Sequence, residues 1–180
     1  QDAAKQHPKV YEELVCAAAL CNDASLDPDR EGEIIGDPTE GALIHMAQAF
    51  GIDHETLEEE YPRVFEQPFD SDRKRMTTVH RMKNRWTAYT KGAVDEMLPL
   101  CTHILTSEGV RPVTETDRAN IMKLCLSMSE DALRVLGFAM RTLTDLPVSA
   151  EEDIESDLIF IGVAGMIDPP RKEVAESVRI

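Results

Sequence analysis

The chain is short of positive charge. Its 19 Lys and Arg stand against 34 Asp and Glu, a formal net charge of −15 over 180 residues. Such a surface repels a phosphate backbone and an anionic membrane face alike, so nucleic acid and direct membrane contact are excluded as partners. No apolar run approaches the ~20 residues of a membrane-spanning helix. The longest, Leu158 to Ile167, is about half that length. The four cysteines, Cys16, Cys21, Cys101 and Cys125, make no CxxC pair, and the five histidines are scattered. A zinc site and a histidine-ligated metal are therefore not expected, and the cysteines read as reduced thiols. Neither GxxxxGK(S/T) nor GxGxxG occurs, so the two common glycine-rich phosphate cradles are missing. No Ser/His/Asp ordering stands out.

What is present is concentrated. Between Arg73 and Lys91 lie seven Lys or Arg and no acid. Just before them comes Phe69, within Phe69-Asp70-Ser71-Asp72-Arg73-Lys74-Arg75-Met76, and Lys91-Gly92-Ala93 closes the stretch. An aromatic ring beside clustered cations, on an anionic protein, suits a ligand with a flat base and a phosphate tail. Stacking and cation–π contacts can hold the base, and lysine and arginine the phosphates.

Periodicity sets the architecture. Val10 to Cys21 has apolar residues at helical spacing. Asn22 to Gly36 is polar and turn-rich, a surface loop. Asp37-Pro38-Thr39-Glu40 starts a second helix, with Asp37 as N-cap, Pro38 in the first position and Glu40 in the third to close a capping box; it runs to about Phe50 and stops at Gly51. A short acidic helix follows from His54 to Glu60. Arg63 to Phe69, Arg75 to Lys83 and Arg85 to Thr90 read as strands, with Lys83-Asn84 as a hairpin turn. Ala93 to Leu100 is a short helix. Thr102 to Thr106 and Val110 to Val113 flank Ser107-Glu108-Gly109, a second hairpin. Thr114 opens a long helix to about Ser129, weakly marked because Asp117 stands where a capping box wants Glu or Gln. Leu133 to Thr142 and Leu158 to Met166 are apolar enough for central strands, joined by an acidic connection from Thr144 to Asp157. Hairpins dominate and helices come in groups, so the fold class is α+β, a largely antiparallel sheet flanked by helices.

Each motif has a structural alternative. Asp37 to Leu43 is first a helix start, although such a start also collects unpaired N–H groups, and a carboxylate there can accept from an exocyclic amine. Phe69 reads as a core anchor at a strand end, Arg73-Lys74-Arg75 as a solvated charge run. Arg134, between Leu133 and Val135, is expected to face inward and to need an anionic partner, a protein acid or a ligand. Asp168-Pro169-Pro170-Arg171 is a stiff turn or a hinge strut.

Taken together and in this order, Cys21-Asn22-Asp23, Gly36 to Leu43, Phe69 to Met76, Lys91-Gly92-Ala93, Leu133-Arg134-Val135-Leu136 and Gly165 to Arg171 resemble the nucleotide-binding domain of P-type cation-transporting ATPases, nearest the calcium-pump-like branch. The resemblance implies a nucleotide-binding domain over residues 1–165, and over 166–180 a hinge strut (Asp168, Pro169, Pro170, Arg171) and the start of a phosphorylation domain. It implies that Phe69 stacks on adenine and that Thr39 and Glu40 line the adenine side. Lys74 and Lys91 border the pocket with Gly92, Lys91 lying deep near the base. Arg134 reaches the phosphates, and Leu136 packs nearby. The ligand would be ATP, as Mg-ATP with magnesium held mainly by other parts. The partners would be the phosphorylation and actuator domains of a parent integral membrane protein, with this domain on the cytoplasmic side and monomeric as a fragment.

Two departures stand out. Ser71 occupies a position where the branch often carries arginine, and Val94 one where proline often follows Lys-Gly-Ala. The sequence opens at Gln1 without methionine and closes in a helical pattern, as an excised piece would. The phosphorylated Asp-Lys-Thr-Gly-Thr and the later Thr-Gly-Asp and Gly-Asp-Gly loops are absent, so the chain is expected to hold ATP without cleaving it, and to do no catalysis alone. A domain that binds a protein partner and keeps a vestigial pocket is the alternative, suggested by Glu58-Glu59-Glu60 and Glu151-Glu152-Asp153.

Overall fold

A computed structural model describes residues 7–30, 32–146 and 153–167; the strut Asp168, Pro169, Pro170 and Arg171 lies outside them. The first helix, α1, spans Pro8–Leu20 with proline in its first turn. In the loop that follows, Ser25–Leu26 (β1) and Ile34–Ile35 (β2) form a two-residue antiparallel ladder, too short to leave a periodic signal. Helix α2 spans Pro38–Ala49 and α3 spans His54–Glu60, capped by Asp37 and Asp53 respectively.

Strands β3 (Arg63–Asp70), β4 (Arg75–Met82) and β5 (Arg85–Gly92) form a meander whose second turn is the expected Lys83-Asn84. Then come the short α4 (Val94–Met97), a 3₁₀ turn over Leu98–Leu100, and the hairpin β6 (Cys101–Thr106) and β7 (Gly109–Pro112). Helix α5 spans Glu115–Glu130 and is better marked than the sequence suggests. Thr114 and Asp117 exchange both capping-box hydrogen bonds, so aspartate at the third position suffices. Two long strands, β8 (Leu133–Leu143) and β9 (Leu158–Ile167), complete the sheet.

The seven strands are ordered β3-β4-β5-β8-β9-β6-β7. Every neighbouring pair is antiparallel except β6 and β9, which run parallel. The α+β architecture is thus observed, with β8 and β9 inside the sheet as their apolar sequences require. Side chains alternate between two covered faces. On one face Met76, Tyr89, Phe138 and Ala164 pack with Val15, Ala18 and Leu20 of α1 and Leu43 of α2. On the other, Ala139, Leu158 and Phe160 pack with Val94 and Met97 of α4 and Cys125 of α5. A smaller cluster there joins Val79 and Ala88 to Ile154 of the β8–β9 connection. All four cysteines are free, and burial pushes the Cys101 thiol up to about 12. Among the described residues no helix is long and apolar enough to cross a membrane, and no group of His, Cys, Asp or Glu is disposed to hold a metal.

Candidate nucleotide site

The site begins at the first turn of α2. Asp37 caps this helix by accepting from the Thr39 N–H at 2.8 Å. Burial alone would raise its carboxyl, but hydrogen bonds from Thr39 and the Glu40 N–H, and the nearby Arg134 charge, hold it below the ordinary range. Glu40 does not turn back to complete the capping box. One carboxylate oxygen accepts from Lys91 Nζ at 2.6 Å and the other from the Asp23 N–H at 3.2 Å. A buried ammonium needs an anion more than the exposed helix start needs a second cap. Lys91, with only 6% of its side chain exposed, lies on β5 between Met76 and Phe138 of the neighbouring strands, on the α1–α2 face.

The loop after α1 supports this carboxylate. Asn22, fully buried, donates to the carbonyl oxygens of Ala18 (3.2 Å) and Glu40 (3.0 Å), and its own Oδ1 accepts from the Ala24 N–H at 2.9 Å. Arg63 of β3 donates to Asp23 (2.7 Å) and Glu66 (2.9 Å) and to the Asn22 carbonyl. Cys21, beneath Lys91, remains a thiol, because burial raises its pKa more than the lysine charge lowers it.

Arg134 and Leu136 occupy alternate positions of β8 and so share the face of Phe138 and Lys91. Arg134 does not face inward. It is exposed near the strand start, where its guanidinium donates to Thr39 Oγ1 at 2.9 Å. Leu136 is half-buried against the α1 cluster. Thr39, Glu40, Lys91, Arg134 and Leu136 therefore meet on one face at one end of the sheet.

Phe69 stands at the end of β3, beside the Asp70–Arg75 pair. A register shift between Gln67 and Asp70 interrupts the strand alternation at this point. The Phe69 ring is 63% exposed, so it is not the core anchor that its place at a strand end suggests. Two candidates lie elsewhere. Lys74, in the β3–β4 turn, reaches Glu96 of α4 at 2.9 Å, on the far face of the sheet. That pair raises its pKa, and being half exposed it is a weak tether. Gly92 admits the same turn. A Cβ there would come within 2.6 Å of Arg75 Cβ and closer still to the Lys74 carbonyl oxygen.

The basic run is thus divided. Arg73 and Arg75 are not free for a ligand's phosphates, because both donate to Glu155, at 2.5 and 2.7 Å. Sequence reading found no role for Glu155; its one signal is Ile154, a lone apolar residue in an acidic connection. A cavity of about 400 Å³ beside α2, lined by Ile34, Pro38, Ala42, His45 and Ile167 among others, has none of the candidate residues in its wall.

The family described as P-type ATPase, cytoplasmic domain N, matches residues 10–173. The chain belongs to this family. It is 45% identical over 159 residues to calcium-transporting ATPase 1 of Bacillus cereus, covering 88% of this chain and 18% of that protein. It is 38% identical over 173 residues to the cation-transporting ATPase pma1 of Synechocystis, covering 95% of this chain and 19% of that one. With calcium-transporting ATPase 1 of Lactococcus lactis the identity is 36% over 165 residues, 92% of this chain and 19% of the relative. The chain spans about a fifth of the length of these relatives. The N-domain membership agrees with the α+β fold and with the order of motifs in the sequence.

Proposed function

We propose that this N domain binds ATP at the end of the sheet described above and, within a complete cation pump, holds it so that the γ-phosphate can pass to an aspartate of a separate phosphorylation domain. What supports the reading is the pairing of Lys91, buried on β5, with Glu40 in the first turn of α2, together with the exposure of Phe69 at the end of β3. A large exposed ring loses little by stacking on a base and gains apolar contact. Glu40, held in place by Lys91, suits an acceptor for the adenine amine. Arg134, already beside Thr39, is the cation best placed to reach phosphate, and Lys74 can join it by leaving a half-exposed ion pair. The chain supplies position and charge, which is most of what phosphoryl transfer asks of a protein, and magnesium would come with the nucleotide. The names of the relatives point to calcium as the transported ion.

The test is an ATP titration followed by amide shifts. Shifts at Thr39, Glu40, Phe69 to Arg75, Lys91 and Arg134 are expected, and shifts confined to other residues would remove the site. Phe69→Ala should weaken ATP by about 1–3 kcal/mol, the range for base stacking, with an unchanged melting temperature because the ring is not packed in the core. A second reading, a protein-binding domain with a vestigial pocket, is favoured by the exposed Met122, Leu124 and Leu126 on α5. Saturable ATP binding at millimolar concentration or below decides against it.

A further inference from the structure

The β8–β9 connection carries a buried carboxylate with no part in the site as drawn so far. Glu155 is 6% exposed. One of its oxygens accepts from Arg73 at 2.5 Å and from Arg75 at 2.7 Å, the other from Thr77 Oγ1 at 2.7 Å. Thr77 Oγ1 is in turn 2.9 Å from Thr90 Oγ1 on β5. Burial alone would raise the Glu155 pKa, but the Arg73 and Thr77 hydrogen bonds and the two guanidinium charges hold it below the ordinary range. The carboxylate is therefore ionised at neutral pH.

Its partners hold the turn between β3 and β4 from both sides. Arg73 also donates to the Pro68 carbonyl at 2.8 Å, one residue before Phe69, and Arg75 donates to the Arg73 carbonyl at 3.0 Å. The turn is tied elsewhere by the Lys74–Glu96 pair and by the Ala93 N–H, which donates to the Lys74 carbonyl at 3.0 Å. Asp70 Oδ1 accepts from the Asp72 and Arg73 N–H groups, and Lys74 adopts φ +52°. Glu155 itself is fixed, because Ile154 plugs the cluster of Val79 and Ala88, and Arg141 binds the Asp153 carbonyl and Ser156 Oγ at 2.9 and 3.0 Å.

We infer that Glu155 is a positioning residue for ATP, one that by gathering Arg73 and Arg75 on the far face of the sheet fixes the turn that presents Phe69 to the base. This rests on the ATP-binding reading above. Without the carboxylate, two guanidinium groups are left close together and unpaired, and the turn loosens. Nucleotide must then order the turn as it binds, and affinity falls by that cost.

The test titrates ATP into the wild-type chain, Glu155→Gln, Phe69→Ala and the double variant. Glu155→Gln should weaken ATP by roughly three- to tenfold, and by less than about twofold in the Phe69→Ala background, since the two act through one ring. An equal loss in both backgrounds, or no loss, overturns the inference. Ile154→Ala separates positioning from stability, because it loosens the same segment but keeps the carboxylate. It should lower the melting temperature and weaken ATP less than Glu155→Gln does, because Arg141 still holds the segment and the carboxylate remains; a loss of affinity matching that of Glu155→Gln overturns the inference. Should Glu155→Gln fail to fold, Arg73→Gln removes one arm of the clasp from its more exposed side. It should show a smaller loss that again disappears without Phe69, and a loss that persists overturns the inference. A wild-type chain that does not bind ATP overturns the parent reading with it, whereas binding that is indifferent to Glu155 overturns this inference alone.

Discussion

His80 shows how much one buried side chain can set the conditions under which this domain survives. It is buried on β4, Nδ1 2.9 Å from the Tyr61 carbonyl oxygen and Nε2 2.9 Å from Thr78 Oγ1. Loss of solvation depresses its pKa from 6.5 to about 4. The unfolded chain therefore takes up this proton first. The contribution of His80 to stability is complete above pH 6.5 and is lost as pH falls towards 4, amounting to about 3 kcal/mol. Urea unfolding between these pH values should show that loss, and His80→Gln should flatten it; an unchanged slope in the variant would place the proton elsewhere. Glu155 acts at the acid end of this window and below it, since a depressed carboxyl loses its contribution only as pH falls below its ordinary 4.5. At this scale the sequence was legible in identity and blind in direction. The cationic run after Phe69 was visible, yet its charges serve two faces. Arg75 pairs with Gly92 and Lys91 with Met76, one step apart on the ladder, and a step of one residue reverses the side chain. Arg73 and Arg75 thus went to Glu155 and Lys91 to Glu40, a division that only the strand register reveals.

Elements were easier to read than contacts, because each long segment carries its own period and its own stop signals. The α1 and α2 helices, the β3–β4–β5 meander and the strands β8 and β9 follow from local pattern. What escaped depends on distance. The β1–β2 ladder is too short to have a period, and the parallel pairing of β6 with β9 joins strands separated by β7, a helix and β8. Two substitutions probe features at this scale. Gly92→Ala should destabilise the domain by about 1–3 kcal/mol, the usual cost of overpacking, since the added methyl meets the backbone of the β3–β4 turn. The amides from Lys74 to Met76 should shift with it, and a variant as stable as the wild type would show that the turn yields freely. Thr114→Ala should cost about 1 kcal/mol through loss of the α5 cap, and ATP affinity should not change, because α5 packs on the face away from Lys91. A change in affinity would mean that the two faces are coupled through the sheet.

At the scale of the molecule, Thr39, Glu40, Lys91, Arg134 and Leu136 gather where the end of β5, the start of β8 and the first turn of α2 converge. For the base, the proposed site would offer the buried Lys91–Glu40 pair and the exposed Phe69. For the phosphates the proposed site would draw on Arg134, exposed and hydrogen-bonded to Thr39, and on Lys74, half exposed and held by Glu96 on the other face. Contacts made by such exposed cations contribute no more than about 1 kcal/mol each, and the rest of the acidic surface opposes a polyanion. Affinity in the isolated domain should therefore reside in the base. ATP, ADP and AMP should bind within about tenfold of one another, a spread of ~1.4 kcal/mol. GTP should bind more weakly, because its O6 would face the Glu40 carboxylate where adenine offers an amine. Calorimetric titration of the four nucleotides checks both expectations. A dissociation constant for AMP a hundredfold above that of ATP would shift the weight of binding to the phosphates, and Arg134 rather than Phe69 would become the residue on which the site depends.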